Sequence, residues 1–588
     1  MIKNRVFIIF MLTLNLFIVD KNTSSAKTPS YLLEEVKVIA PAKTQNIEKI
    51  SQEVKIIKSE KLLNFGPEFF SAVELKERGA FGVQSDLSIR GTTFEENIVT
   101  FEGIRLSDPQ TGHHLMNLPL EKEILESIEI LPGGASAIYG PGGFGGALNF
   151  NLKPSTKGYK FLVEYGSYDY KNFFGNLGFS TSFSPVNLIF SQKKANGFIW
   201  NRDFDIRTFN LYTKDDKKSI FFGFQEKDFG ARNFYTTKYN TEWEETKTHI
   251  FLIKKNFYNV NWFFEPTLLY RINYDIYLLD RKNPDFYKNT HKSQVFRLNL
   301  PLKYETSLAD YFFGTELSYE TLDSSRLGDH IRQEAGFYFW IYPKISSNFF
   351  PSVGLRYDII TKNKDMFSYN LGLAYLLTSN LKLRSSFGFS YRIPSFTELY
   401  YDSPTLKGNS SLSPEKAYNI ETGFDYSKNI LTFSGTVFYR YGKDIIDWIK
   451  QGNIIKSQNI ETLKTIGVTL DSNINFKDFK TFISYTYLNQ TAKNLSSARY
   501  QGSYLRHNFI LGISAYLPLD IEIFGNLNYR KYYKRDDVLL INLEIKKSLH
   551  KNVIFSLWGK NLLDDDYREI GEVKAPPQWI GTNLEIKF

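Results

Sequence analysis

The sequence predicts an all-β membrane protein: an antiparallel transmembrane β-barrel of about 22 strands, at roughly 20 residues per strand and turn, with a small N-terminal α+β plug domain inside its lumen. Three observations carry this. From Ser155 onward the hydrophobic period is two, strand after strand, to the C-terminus. Phe and Tyr number 51 and 38, mean hydropathy is −0.31, and no apolar run is long enough for a spanning helix. A glycine-rich junction, Tyr139-Gly-Pro-Gly-Gly-Phe-Gly-Gly-Ala-Leu-Asn-Phe150, separates this region from ordinary mixed globular sequence before it.

The N-terminus carries an export signal. Lys3 and Arg5 precede an apolar run from Val6 to Val19, and Ser24-Ser25-Ala26 offers a small-x-small cleavage site after Ala26. With 0 cysteines, disulfides and thiolate metal sites are excluded. Export, no cysteine and a β-rich body point to the Gram-negative outer membrane. The formal charge of +9 does not argue for nucleic acid, because 72 basic residues are interleaved with 63 acids. Basic residues at an outer membrane meet lipopolysaccharide phosphates instead.

Within the barrel half, Phe173, Gly175, Leu177, Phe179, Thr181 and Phe183 alternate with Phe174, Asn176, Gly178, Ser180 and Ser182. Leu298, Leu300, Leu302 and Tyr304 alternate with Arg297, Asn299, Pro301 and Lys303. One face suits lipid and the other water. The last segment places Ile580, Thr582, Leu584, Ile586 and the terminal Phe588 on one face. A barrel of about 22 strands encloses a lumen wide enough for a plug. Little sequence remains for extracellular loops, which are expected to be modest.

Several blocks carry a family resemblance. Ser88-Ile-Arg90-Gly91, Ile98 to Leu106 with Glu102-Gly103 at its turn, and Ile128 to Gly140 lie in the N-terminal part. Tyr391-Arg-Ile-Pro-Ser-Phe-Thr-Glu-Leu-Tyr400, Gly408 to Glu415, Glu421-Thr-Gly423 and Lys560 to Tyr567 lie in the barrel. Together they resemble TonB-dependent outer-membrane transporters, and the plug blocks look most like the cobalamin-receptor branch. The chain departs from the pattern at Glu102, at Leu131-Pro-Gly-Gly134, where loss of a basic residue puts a second plug–barrel ion pair in doubt, and at Pro576-Pro577-Gln578.

The resemblance implies a signal peptide over 1–26, a periplasmic segment with a TonB box over 27–44, a plug over 45–154 and a barrel over 155–588. Glu35, Val36, Lys37, Val38, Ile39 and Ala40 resemble the TonB box, an extended peptide that adds to a sheet edge of the TonB partner. Alternating Val and Ile also fit a first plug strand. Arg90 is implied to face the barrel wall. The loop after the Glu102-Gly103 turn reaches the plug apex in this family, so Arg105, Asp108, Gln110, Thr111, His113 and His114 are candidate ligand contacts. In an extended chain His113 and His114 point to opposite sides, so they are not expected to share a metal.

Gly140, Gly142 and Gly145 spell G-x-G-x-x-G, but a strand follows where a dinucleotide site needs a helix. The glycines serve turns and close packing instead. Asp564-Asp-Asp566 lacks the spaced ligands of an EF-hand and reads as a solvated turn. No catalytic motif is present, so the chain is not expected to be an enzyme. No cofactor is called for, and calcium in extracellular loops has no support. The expected function is TonB-dependent uptake of a scarce ligand, a corrinoid first, with ferric siderophore or haem as the alternative. A passive porin or adhesin is the remaining class. Expected partners are TonB with its inner-membrane motor, the small-molecule ligand, lipopolysaccharide and, as an open question, a surface lipoprotein.

Overall fold

Alternating side chains along each strand wrap into a closed antiparallel cylinder. The structure, a computed structural model, describes residues 35–36, 45–46, 49–59, 70–182, 184–492 and 498–588. Twenty-two long strands close it, with Gly158–Gly166 bonded both to its neighbour Tyr170–Phe179 and to the last strand, Trp579–Lys587. Short pieces Phe257–Tyr258, Trp262–Phe264 and Leu406–Lys407 extend this ladder. Closure leaves no unpaired edge, as a bilayer requires.

The alternation is as read at Lys288–Glu305: Arg297, Asn299 and Lys303 are buried in the lumen while Phe296 and Tyr304 face out. In the last strand Ile580 and Leu584 are exposed to the lipid side, as is the terminal Phe588. The strand expected to run past Thr181 stops at Phe179, and Phe183 lies outside the described residues. Its inner face is also less polar than expected. Phe174 is buried together with Ile189, Tyr212, Phe221, Leu252 and Leu269, because these wall positions pack on an apolar side of the plug.

Both barrel ends lie together, since Tyr159 and Phe588 exchange backbone hydrogen bonds. The connections at the opposite end include the long ones, residues 393–414 and 561–578. Short turns mark the periplasmic rim and longer loops the extracellular one. Even the outer loops are modest.

The plug is built on a five-stranded mixed sheet, in the order Lys55–Lys58, Leu125–Pro132, Gly146–Leu152, Asn97–Phe101, Ile104–Leu106. A two-stranded ribbon, Val73–Glu77 with Ser85–Ile89, and a one-turn helix, Ser136–Tyr139, complete it. The glycine-rich junction behaves as a packing device. Gly140 has φ +74° and lies so close to Arg356 that a Cβ would stand 2.7 Å from its guanidinium. Gly146 opens a strand rather than a helix.

Glu35–Val36 pairs with Gln45–Asn46 as a short antiparallel ribbon. Residues 37–40 of the expected box, and the signal peptide 1–26, lie outside the described residues.

Candidate functional site

The plug is pinned to the wall by buried charges. Arg90 adopts φ +51° and donates to Glu421 of the wall at 2.8 Å and to Glu53 at 2.5 Å. Its guanidinium lies 3.9 Å from the Phe438 ring centre. A second plug–barrel ion pair, in doubt from the sequence, is present several times over. Arg105 bonds Glu316 at 3.2 Å and also Glu334, Lys55 reaches Asp471 at 2.9 Å, and Glu102 pairs with Lys214 at 2.8 Å. Glu102 does a second task, accepting the backbone N–H of Leu152. Burying a charge without such a partner would be prohibitive.

The apical loop is therefore committed. Asp108 accepts from Ser293 and lies 3.3 Å from Arg271. Gln110 donates to Asp275 at 2.9 Å. Thr111 caps a 3₁₀ turn, Gly112–His114, and donates to Glu95. The two histidines thus stand on a turn rather than in an extended chain, yet they still diverge. His113 stacks on Phe94 at 3.7 Å and bonds Asp86 at 2.7 Å. Burial lowers its pKa to about 4, Asp86 offsetting only part of this, so the ring is neutral. His114 turns to the wall. Burial opposes its charge, but Glu244, Asp275 and Asp108 outweigh it and raise its pKa to about 9.

An outer cavity of about 400 Å³ opens over the plug apex. None of the six expected contacts lines it; His113 stands behind Phe94, Asp86 and Tyr500, which do. Its walls are plug residues Lys76, Arg78, Asp86, Thr93 and Phe94, with Phe234, Tyr235, Arg499, Tyr500 and Arg535 from the loops. Phe94 meets Tyr500 edge-on at 5.0 Å. An aromatic and basic lining of this size suits a ligand with a flat or anionic face.

A second cavity, about 460 Å³, lies deeper between the plug and the wall. At its upper edge sits Phe81, at a left-handed φ of +57°, stacked on Tyr170 at 4.1 Å and edge-on to Trp579 at 5.1 Å. Glu569, bonded to Arg530 and to the Glu77 backbone, lines both cavities.

The barrel motif from Tyr391 to Glu415 now has a physical role. Ser395 and Glu398 form a capping box on the helix Phe396–Tyr400. Arg392 clasps Glu398 at 2.8 Å and Glu415 at 2.7 Å. This fixes the longest outer loop so that Phe396 and Thr397 donate backbone hydrogen bonds to Pro109 and Gln110 of the plug. The capping pattern was readable in sequence; its docking onto the plug was not.

A family model described as TonB dependent receptor-like, beta-barrel, matches residues 149–562. A second, the TonB-dependent Receptor Plug Domain, matches 47–147. The chain is a TonB-dependent receptor. It is 22% identical over 544 residues to the vitamin B12 transporter BtuB of Photobacterium profundum, covering 83% of this chain and 84% of that one. The corresponding protein of Vibrio vulnificus (strain YJ016) is 21% identical over 463 residues, 68% of each chain. The siderophore receptor PirA of Acinetobacter baumannii superposes with TM-score 0.74 at 14% identity, over 92% of this chain and 99% of PirA. This TonB-dependent receptor is accordingly a protein of the Gram-negative outer membrane. Its family comprises transporters and receptors rather than enzymes.

Proposed function

We propose that this receptor takes up a corrinoid. The outer membrane has no ATP and no ion gradient, so accumulation must draw on the inner membrane through TonB. The observation that carries the corrinoid reading is the sequence likeness to two vitamin B12 transporters along most of the chain. The outer cavity is where such a ligand first docks: Phe94, Phe234, Tyr235 and Tyr500 offer ring faces to a flat macrocycle. At about 400 Å³ the cavity seats part of a large ligand, and the surrounding loops cover the rest.

Occupancy must then favour a state in which residues 35–40 are released to the TonB partner, because a ligand shifts only an equilibrium between states that it binds unequally. Nothing in this route requires a cofactor of the protein's own. Equilibrium titration of the detergent-solubilised protein with cyanocobalamin, and in parallel with a ferric siderophore and with haem, tests the reading. Saturable cyanocobalamin binding, weakened by Tyr500→Ala, is the expected result. Binding of a ferric chelate or haem alone would keep the transporter and overturn the corrinoid. Uptake that survives deletion of residues 35–40 would remove the coupling segment and leave a passive pore.

A further inference from the structure

The contacts of His114 Nε2 with two carboxylates are too long for hydrogen bonds. Its Nδ1 faces the Asn273 side-chain amide at 3.3 Å, which leaves Nε2 as the nitrogen turned to the wall. That nitrogen lies 3.8 Å from Glu244 Oε1 and 3.9 Å from Asp275 Oδ2. A hydrogen bond does not form at that length. Two donors of one ion bound at about 2.0–2.2 Å stand roughly 3.2–3.6 Å apart in tetrahedral geometry, so the two nitrogen–oxygen separations exceed ligand spacing by only a few tenths of an ångström. All three donor atoms lie within 4.8 Å of one another and all three residues are buried.

A second observation points to the same place. Asp275 Oδ1 is buried and accepts no hydrogen bond, and neither does Gln110 Oε1 beside it. Oδ1 is the second oxygen of the carboxylate whose Oδ2 faces His114, and leaving it buried and bare costs free energy unless a cation meets that carboxylate. The remaining atoms of the cluster are held in the way outer-shell groups hold metal ligands. Tyr235 donates to Glu244 Oε2 at 2.5 Å, leaving Oε1 for the centre. Gln110 donates to Asp275 Oδ2 at 2.9 Å. Asp108, 3.9 Å from His114 Nδ1, is engaged by Arg271 at 3.3 Å, so the carboxylates turned to His114 Nε2 are those of Glu244 and Asp275. Tyr235 also lines the outer cavity, which gives an ion a way in.

We infer that His114, Glu244 and Asp275 bind one divalent transition-metal ion of the zinc type, tying the plug's apical loop to two adjacent barrel strands. One imidazole nitrogen with two carboxylates suits zinc or cobalt; an all-oxygen cage would suit calcium or magnesium. The strands are Trp243–Lys255 and Thr267–Leu278. Nothing in the linear chain hints at the site, because the three ligands are far apart along it. The site is independent of the ligand carried, so its failure would leave the transport reading untouched.

Cobalt(II) reads the site directly. The detergent-solubilised full chain, stripped with a chelator, is titrated with Co²⁺ and then with Zn²⁺. One equivalent of Co²⁺ should give visible ligand-field absorption that one equivalent of Zn²⁺ abolishes. His114→Ala and Glu244→Gln should each remove it, and Tyr235→Phe should weaken binding about 10-fold, as loss of an outer-shell partner does. Should His114→Ala not assemble a barrel, Glu244→Gln carries the same test. Absence of the spectrum in the wild-type chain, or its survival in Glu244→Gln, would overturn the site.

Discussion

The plug meets the barrel differently on two sides. Toward the strands between Ala309 and Lys428 the contact is continuous. Arg105 is held by Glu316 and Glu334, Trp340 and Arg356 donate to the carbonyls of Ala137 and Ile138, Gly142 donates to the Tyr391 carbonyl, and Arg90 reaches Glu421. Toward the barrel seam, where the first and last strands meet, the cavity of about 460 Å³ intervenes. There the contact is interrupted: apolar packing around Phe174 and Phe221 and the Phe81 tip alternate with separate polar contacts, Glu121 with Lys193 at 2.6 Å, Lys227 with the Gly82 carbonyl at 2.7 Å, the Glu77 N–H with Glu569 at 2.9 Å and Tyr532 with Glu74 at 2.6 Å. One side is a continuous charged contact and the other is interrupted by a cavity.

Three substitutions test that contrast. The largest effect is expected from Arg105→Ala, which strips Glu316 and Glu334 of their plug partner at a cost of about 3–5 kcal/mol, as for other buried pairs. Hydrogen exchange of Ile98 to Leu106 should rise sharply while the barrel strands stay protected. Unchanged exchange would mean that the charged side does not hold the plug.

Phe81→Ala comes next. It removes the contacts with Tyr170 and Trp579, worth about 0.5–1.5 kcal/mol each, and widens the route between the two cavities. Faster exchange confined to residues 76–83 is the expected signature, with Arg90 and Arg105 segments unaffected. Exchange that spreads to the charged side would erase the distinction.

The smallest effect is a pH dependence. Glu95 is raised from 4.5 to about 8 by burial and by Glu398, with Arg392 offsetting part. A folded-state pKa above the unfolded one gives stability that is present below pH 4.5 and lost as pH climbs through about 8. Glu95→Gln should therefore unfold at a higher temperature than the wild type at about pH 9, with the difference vanishing toward about pH 5. A difference that instead grows as pH falls would show that Glu95 is charged in the fold.

The fold was legible because a bilayer leaves few options. Every backbone group must be paired, so alternating segments that run to a terminal Phe588 imply a closed barrel, and its size implies a filled lumen. Arg90 was legible because Ile-Arg-Gly is local. Arg105 was singled out as a ligand contact, but its partners lie on two barrel strands that no spacing in the plug could indicate. His113 and His114 show the same limit: divergence of the two rings was expected of an extended chain, but a 3₁₀ turn produces it and sends one ring to Asp86 and the other to Glu244 and Asp275.

By itself the sequence determined the strand period, the division into plug and barrel and the family. Each follows from neighbours in the chain, where backbone geometry links residue order to shape. Tertiary structure alone decided which charges meet across the lumen, which side of the plug is pinned and where the cavities open. Those depend on closing a cylinder around a separate domain, and that closure brings together side chains hundreds of residues apart.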